Sequence, residues 1–150
     1  MVLGDHLSEE QKRKYIHTRL IAGAVIYRFC DFTKPPKPKY LLVVQVQAET
    51  IIIVINTAIN QFTQDRQHLL DCQVSIDVAT HNFLDHDSFI DCTATESLIT
   101  TDLVEEILQD MSKLRGQITT EMKAKVIAAL NDCYTIEPNR IASLVASLSA

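Results

Sequence analysis

Residues 40–46 read YLLVVQV and residues 51–55 read IIIVI, with only four residues between the two stretches. Both stretches are rich in β-branched side chains, which favour the extended backbone of a strand. Neither alternates apolar with polar residues, and this is typical of strands that are covered on both faces. The sequence therefore predicts two central strands, joined by a tight connection and packed against other elements from two sides.

Three shorter segments are also predicted to be strands. Residues 24–29 (AVIYRF) are β-branched and aromatic, residues 72–77 (CQVSID) alternate apolar with polar side chains, and residues 88–92 (SFIDC) form a short apolar run. Residues 33–39 (TKPPKPK) contain three prolines, which predicts a stiff loop that is neither helix nor strand. About five short strands are thus expected in the first two thirds of the chain.

Helical patterns lie at the two ends of the chain. Ser8, followed by two acidic residues, predicts the N-cap of a short first helix, and residues 60–70 are expected to hold a loop or a single helical turn. Strands followed by helices indicate an α+β fold.

The last third of the chain is expected to be helical. Thr101 and Asp102 are predicted to cap one helix, Arg115-Gly116 to end a segment, and residues 119–121 to cap another helix. Pro138 is predicted at the first turn of a last helix. This last helix would bury one apolar face, made of Ile141, Leu144, Val145 and Leu148.

Length and charge narrow the function classes. A chain of 150 residues is about one domain long. The net charge is −5, yet residues 1–40 are richer in basic than in acidic residues, so an anionic ligand at that end is compatible with the sequence. The N-terminus does not resemble a signal peptide and no apolar run is long enough to span a membrane, so a cytoplasmic protein without membrane contact is expected.

The motif inventory predicts no metal or cofactor. Phosphate-loop, dinucleotide, zinc-protease and nucleophile-elbow motifs are missing from the sequence. The polar residues His81, Asp85, His86 and Asp87 could hold a metal, but turn residues that bond nearby backbone are the favoured interpretation. The four cysteines lie far apart in sequence, and buried thiols are favoured over metal binding or catalysis.

Four parts of the sequence match the pattern of a known family in order. They are residues 22–29 (AGAVIYRF), residues 37–44 (KPKYLLVV), residues 56–59 (NTAI), and a closing part made of residues 87–92, 114–119 and 126–130. Over about residues 21–130 the chain resembles the MazF/PemK-like toxins, whose fold is a small SH3-like β-barrel followed by a helix. The resemblance implies one domain over residues 1–150, with a helical extension (1–20), a β-barrel (21–100) and C-terminal helices (101–150). It leaves the last helix unexplained.

The resemblance also implies an activity. Family members are mostly metal-independent endoribonucleases that cleave single-stranded RNA and are silenced by an antitoxin. An Arg at the start of the second strand and a Ser or Thr after the third flank the scissile phosphate in that family. The matching residues here are Lys39 and Thr57, and Lys34, Lys37 and Arg28 are candidates for contacts along the RNA backbone.

Lys39 departs from the family pattern, because a lysine is a point charge where arginine offers a planar fork. A second hypothesis therefore stays open: an SH3-like barrel that has lost nuclease activity and binds a protein or a nucleic acid. The additional helices at both ends also favour that hypothesis. Homodimerisation is common in the family and is expected here, because strands that are apolar on both faces leave surface to cover.

Overall fold

The computed structural model describes residues 7–150. The expectation that the N-terminus is not a signal peptide concerns residues 1–6, which lie outside the described part. Within residues 7–150 the strands are β1 (Ala24–Cys30), β2 (Lys37–Val46), β3 (Glu49–Asn56), β4 (Gln73–Ile76), β5 (Ser88–Asp91), β6 (Glu96–Ile99) and β7 (Leu114–Gln117). The helices are α1 (Glu9–Arg19), α2 (Gln61–Gln64), α3 (Gln67–Leu70), α4 (Thr100–Gln109), α5 (Thr120–Asp132) and α6 (Pro138–Ser149).

The strands form one curled antiparallel sheet, which has the shape of a half-barrel. The strand order is β4-β5-β3-β2-β1-β7, and β6 pairs with the first half of β3. Tyr40 pairs with Ile55 across β2 and β3, and Val25 pairs with Leu42 across β1 and β2. The pairing of β2 with β3 skips Val44 of β2, and the pairing of β1 with β7 skips Arg115 of β7. Such bulges increase the local twist of a sheet. The α+β fold with a small barrel-like sheet is confirmed.

Alternate residues of the central strands enter two separate cores. Leu41 and Val43 pack with α1 and α4 on one face of the sheet, called here the α1/α4 face. Leu42 and Val44 pack with α5 and α6 on the other face, the α5/α6 face. All four side chains are fully buried, and burying each one contributes roughly 1.5–3 kcal/mol. The prediction that β2 and β3 are covered from two sides is confirmed.

Several predicted helix ends are confirmed. The Ser8 side chain accepts a hydrogen bond from the Gln11 amide, and the Gln11 side chain accepts one from the Ser8 amide, so α1 opens with a capping box. Thr119 caps α5 through the Met122 amide. Pro138 lies in the first turn of α6, which buries Ile141, Leu144 and Leu148 and leaves Val145 partly exposed.

Two local expectations about loops and caps are wrong. The proline-rich segment is not a loop throughout, because β2 begins at Lys37 and includes Pro38. Pro38 pairs with Phe29 of β1, in a part of β2 that has no partner on its other edge, and a proline is tolerated there. The N-cap of α4 is Ile99 rather than Thr101 or Asp102, since β6 runs directly into the helix.

The sheet has seven strands in the described part of the chain, two more than expected, and the additional strands are β6 and β7. Arg115-Gly116, predicted to end a segment, instead lies within β7, which pairs with β1. The segment 101–150, predicted to be helical, therefore contains a strand that completes the sheet. That residues 1–150 form a single domain stays a prediction.

The four cysteines are free thiols and all are buried, which confirms the favoured interpretation. Burial raises the pKa of the Cys72 thiol to about 12 and also raises the pKa of Cys92. Because the thiolate is the reactive form, these side chains are held in their unreactive state. In the described part of the chain, no helix combines the length and the hydropathy needed to cross a bilayer.

Candidate functional site

Lys39 lies near the start of β2, where the strand pairs with the end of β3. Its ammonium group donates a hydrogen bond to the Asn56 Oδ1 atom. The side chain is partly buried, and this burial is the main reason why the pKa of Lys39 is lowered. Repulsion by the positive charge of Lys37 lowers the pKa further. Since burial disfavours the charged form, Lys39 loses its proton at a lower pH than an ordinary lysine does.

Thr57 is exposed and lies in the bend that directly follows β3. It is the next residue after Asn56, the hydrogen-bond partner of Lys39. The pairing of Tyr40 with Ile55 brings the start of β2 to the end of β3, so the two predicted catalytic residues lie at the same end of this strand pair. A cation and an exposed hydroxyl are thus available in one region, as phosphoryl chemistry requires.

Arg28 pairs with Lys39 in the register of β1 and β2, but its guanidinium group is already engaged. It donates two hydrogen bonds to the Glu106 carboxylate of α4, at 2.8 and 2.9 Å. The Lys113 ammonium lies 3.6 Å from the same carboxylate. This ion pair fixes α4 against the sheet. An RNA contact by Arg28 stays a prediction. It would require the guanidinium to bind a phosphate while it is paired with Glu106, or to break its hydrogen bonds to Glu106.

We expect the substitution Glu106→Gln to lower the free energy of unfolding at pH 7 by about 1–3 kcal/mol, because it leaves the partly buried Arg28 without its counter-charge. The Arg28 guanidinium holds the pKa of the Glu106 carboxyl below its usual range. The stabilisation is therefore complete above the pKa of an unfolded glutamate, about 4.3, and is lost as the pH falls through the lower pKa of the folded state. Urea unfolding at several pH values measures both effects.

Glu105→Gln is the matched control for this substitution. Glu105 binds Arg13 at 2.8 Å, but this pair is exposed, so its loss should change stability much less. The difference in stability between wild type and the Glu106 variant should shrink as the pH falls. Equal effects of the two substitutions, or a difference that is independent of pH, would contradict this account.

Lys34 and Lys37 are both exposed, one in the loop after β1 and the other at the first residue of β2. Lys37 is also close enough to lower the pKa of Lys39 by charge repulsion. Lys34 in the loop and Lys37 in β2 therefore carry positive charge near the start of β2, where Lys39 also lies. This placement is compatible with their predicted contacts to an RNA backbone, which stay a prediction.

Arg115 is a candidate that the sequence interpretation did not single out. The pairing of β1 with β7 passes from Gly116 to Leu114 and skips Arg115, whose side chain lies beside the rings of Tyr27 and Tyr40. A bulge of this kind re-aims a side chain. The segment LRGQ has neither an alternating pattern nor an apolar run, so no local signal indicated a strand or the direction of Arg115.

The polar cluster around residue 81 has a structural role. The His81 ring is 2% exposed, and its Nε2 atom accepts a hydrogen bond from the Thr119 amide at 3.2 Å. Its Nδ1 atom lies 3.3 Å from the Asp77 carbonyl oxygen, and the Asp87 carboxylate accepts a hydrogen bond from the Val78 amide. In the described part of the chain, no three His, Cys, Asp or Glu side chains are grouped so that they could hold a metal ion.

Comparison with solved structures identifies a similar fold. The chain superimposes on the Mycobacterium tuberculosis toxin MazF-mt6 with a TM-score of 0.50 and 12% sequence identity. The match covers 76% of this chain and 98% of the toxin chain. The fold is MazF-like. At this identity the similarity establishes the fold alone.

Sequence comparisons give no further assignment. No family model matches the chain, and no curated protein sequence matches it. The MazF-like fold therefore rests on the three-dimensional arrangement, and the roles of Lys39, Thr57, Arg28, Lys34 and Lys37 stay predictions.

Proposed function

We propose that this protein is a MazF-like toxin that cleaves single-stranded RNA without a metal ion. The observation that carries the proposal is the MazF-like fold, which is similar to that of a protein described as a toxin. The end of the β2–β3 strand pair supports it further, because a partly buried lysine and an exposed threonine lie there. Lys39 and Thr57 are the proposed catalytic residues.

The proposed reaction is an internal transfer of the phosphoryl group. The RNA 2′-oxygen attacks the adjacent phosphorus, the bond from phosphorus to the 5′-oxygen breaks, and the products are a 2′,3′-cyclic phosphate and a 5′-hydroxyl end. The 2′-hydroxyl loses its proton and the leaving oxygen gains one. Lys39 would stabilise the negative charge that develops on the phosphorane, and the Thr57 hydroxyl would position the phosphate by a hydrogen bond.

Binding of the RNA strand would depend on the basic segment between β1 and β2. Lys34 and Lys37 are exposed and would attract the phosphates electrostatically. Arg28 would contribute less than an unpaired arginine, because Glu106 neutralises it. As further parts of the proposal, an antitoxin protein would silence the activity, the protein would form a homodimer, and it would act in the cytoplasm.

The decisive experiment incubates purified protein with mixed cellular RNA in the presence of EDTA. We expect cleavage products that end in a 2′,3′-cyclic phosphate, and arrest of growth when the protein is expressed. Thr57→Ala should abolish most of the activity, whereas Thr57→Ser, which keeps the hydroxyl, should retain much of it. Intact RNA under all conditions, or equal activity of Thr57→Ala and wild type, would exclude the proposal.

The second candidate is a MazF-like barrel that binds a partner without cleaving RNA. Two observations favour it: a lysine stands at the position of the family arginine, and the neighbouring Arg28 is held by Glu106. The same assay distinguishes the two candidates, because an interaction module would co-purify with a stable partner and leave RNA uncut.

A further inference from the structure

Tyr27, Tyr40 and Arg115 form a cluster on the α5/α6 face of the sheet, called here the tyrosine–arginine surface. Tyr27 of β1 pairs with Tyr40 of β2, and their ring centroids are 4.7 Å apart at an interplanar angle of 48°. The Arg115 guanidinium lies 5.0 Å from the Tyr27 centroid and 6.0 Å from the Tyr40 centroid. Both rings are only half-buried, so part of each ring is available to a ligand.

The charge of Arg115 is not neutralised by an ion pair. Within residues 7–150 no carboxylate forms a salt bridge with it, in contrast to Arg28 and its partner Glu106. Two acidic side chains lie near Arg115. One is the exposed Asp110, whose pKa is lowered first by its hydrogen bond from Ser112 and also by the charge of Arg115. The other is Asp85, which accepts a hydrogen bond from the Tyr40 hydroxyl at 3.1 Å. Its negative charge disfavours a phosphate at that edge of the ring, so the rings themselves are suited to an uncharged planar group.

The backbone fixes the place of Arg115. The residue is skipped in the pairing of β1 with β7, and the next residue, Gly116, lies against the ring of Phe83. A Cβ atom at Gly116 would approach that ring to 2.6 Å. The bulge and the glycine together therefore direct the Arg115 side chain to the tyrosines, and no carboxylate partner is needed to hold it there.

Apolar surface continues from the tyrosines along the β1–β2 ribbon. Phe29, two residues beyond Tyr27 and on the same side of β1, is 56% exposed, and Pro38 lies opposite it in the register. The exposed lysine Lys34 lies in the loop beyond this end of the ribbon, whereas Lys37 shares the face of Lys39, whose pKa its charge helps to lower. The surface thus combines aromatic rings with the cation of Arg115.

We propose that the tyrosine–arginine surface stacks an unpaired base of single-stranded RNA on Tyr27 and Tyr40, while Arg115 binds the adjoining phosphate. Proteins bind single-stranded nucleic acids by combining aromatic side chains with nearby cations. Each base can stack on an aromatic ring, and each phosphate of the backbone carries a negative charge that a cation attracts. The inference rests on the proposed function only in taking single-stranded RNA as the ligand, and it does not require cleavage.

The test uses a pool of single-stranded 2′-O-methyl oligoribonucleotides that carry 2-aminopurine, since a strand without free 2′-hydroxyls cannot be cut by the proposed reaction. Wild type should bind the pool, quench the 2-aminopurine fluorescence by stacking, and bind the matched duplexes more weakly. Tyr27→Leu should weaken binding about tenfold and reduce the quenching, with an unchanged salt dependence. Tyr27→Phe keeps the ring and should bind like wild type. Arg115→Gln should reduce the salt slope by about one.

Arg66→Gln is the matched control, because the Arg66 guanidinium also lies over a ring, 3.6 Å from the Phe62 centroid, but outside this surface. It should leave binding unchanged. The inference is overturned if wild type does not bind the pool, or if the Tyr27→Leu variant binds the pool and quenches the fluorescence like wild type. It is also overturned if the only effect of Tyr27→Leu is the loss of a co-purified protein. Binding and quenching without any cleavage of RNA would reject the nuclease and keep the inference.

Discussion

Replacement of Lys39 by methionine is expected to lower the rate constant of RNA cleavage by about 10²–10³-fold. This is the usual effect of removing one donor that stabilises charge in a transition state. Methionine fills a similar volume but carries no charge, so the fold should be retained. Single-turnover cleavage of a defined RNA by the variant and by wild type measures the effect directly.

Lys34→Met is the matched control for this prediction, because it removes the same charge from an exposed position in the loop after β1. It should weaken binding in a salt-dependent way and leave the rate constant at saturating RNA nearly unchanged. If both substitutions lower the rate constant equally, Lys39 has no special role in the chemical step.

The pH dependence of cleavage provides an independent test of Lys39. Only the protonated amine can stabilise the phosphorane, and burial lowers the pKa of this amine. Activity should therefore fall at alkaline pH, starting at a lower pH than an ordinary lysine would allow. In the Lys39→Arg variant the fall should disappear, because a guanidinium stays charged over this range. An identical alkaline limb in both proteins would assign it to another group.

Replacement of His81 by alanine should lower the free energy of unfolding by about 2–4 kcal/mol, the largest effect on stability that we expect. The ring is fully buried, so the substitution leaves a cavity. It also removes the acceptor for the Thr119 amide at the start of α5, so this donor loses its partner. Urea unfolding of the two proteins, compared at equal slope, gives the difference.

His86→Ala is the control, since His86 is exposed in the same turn-rich segment and should cost little. If His81→Ala lowers the free energy of unfolding no more than His86→Ala does, the hydrogen bond from the Thr119 amide to His81 does not hold this segment to α5.

The pattern of the central strands was sufficient to predict their burial on both faces, because unbroken apolar runs leave no side for solvent. The helix caps at Ser8 and Thr119 could also be predicted locally, because an N-cap hydroxyl accepts a hydrogen bond from a backbone amide only two or three residues away. Strand β7 was missed, since LRGQ is a strand only through its pairing with β1. The cap of α4 was misplaced because β6 leads directly into that helix.

Lys39 and Thr57 were chosen through the resemblance to the MazF/PemK-like toxins, and their catalytic roles stay predictions. Their placement at one end of the β2–β3 pair follows from the two predicted strands, because an antiparallel pair with a short connection must bring these ends together. The ion pair between Arg28 and Glu106 joins residues that are 78 positions apart, so no local pattern could indicate it. Arg115 acquires its neighbours through a bulge, which depends on how β7 meets β1.

The sequence by itself determined that the central strands are buried on both faces, that β-rich segments precede helical ones, and where the caps of α1 and α5 lie. Each of these features depends on residues that are close along the chain. Only the tertiary structure decided that Glu106 neutralises Arg28, that His81 holds the start of α5, and that Arg115 lies over two tyrosines. Each of these contacts joins distant segments, and their geometry is fixed by packing that local propensity does not encode.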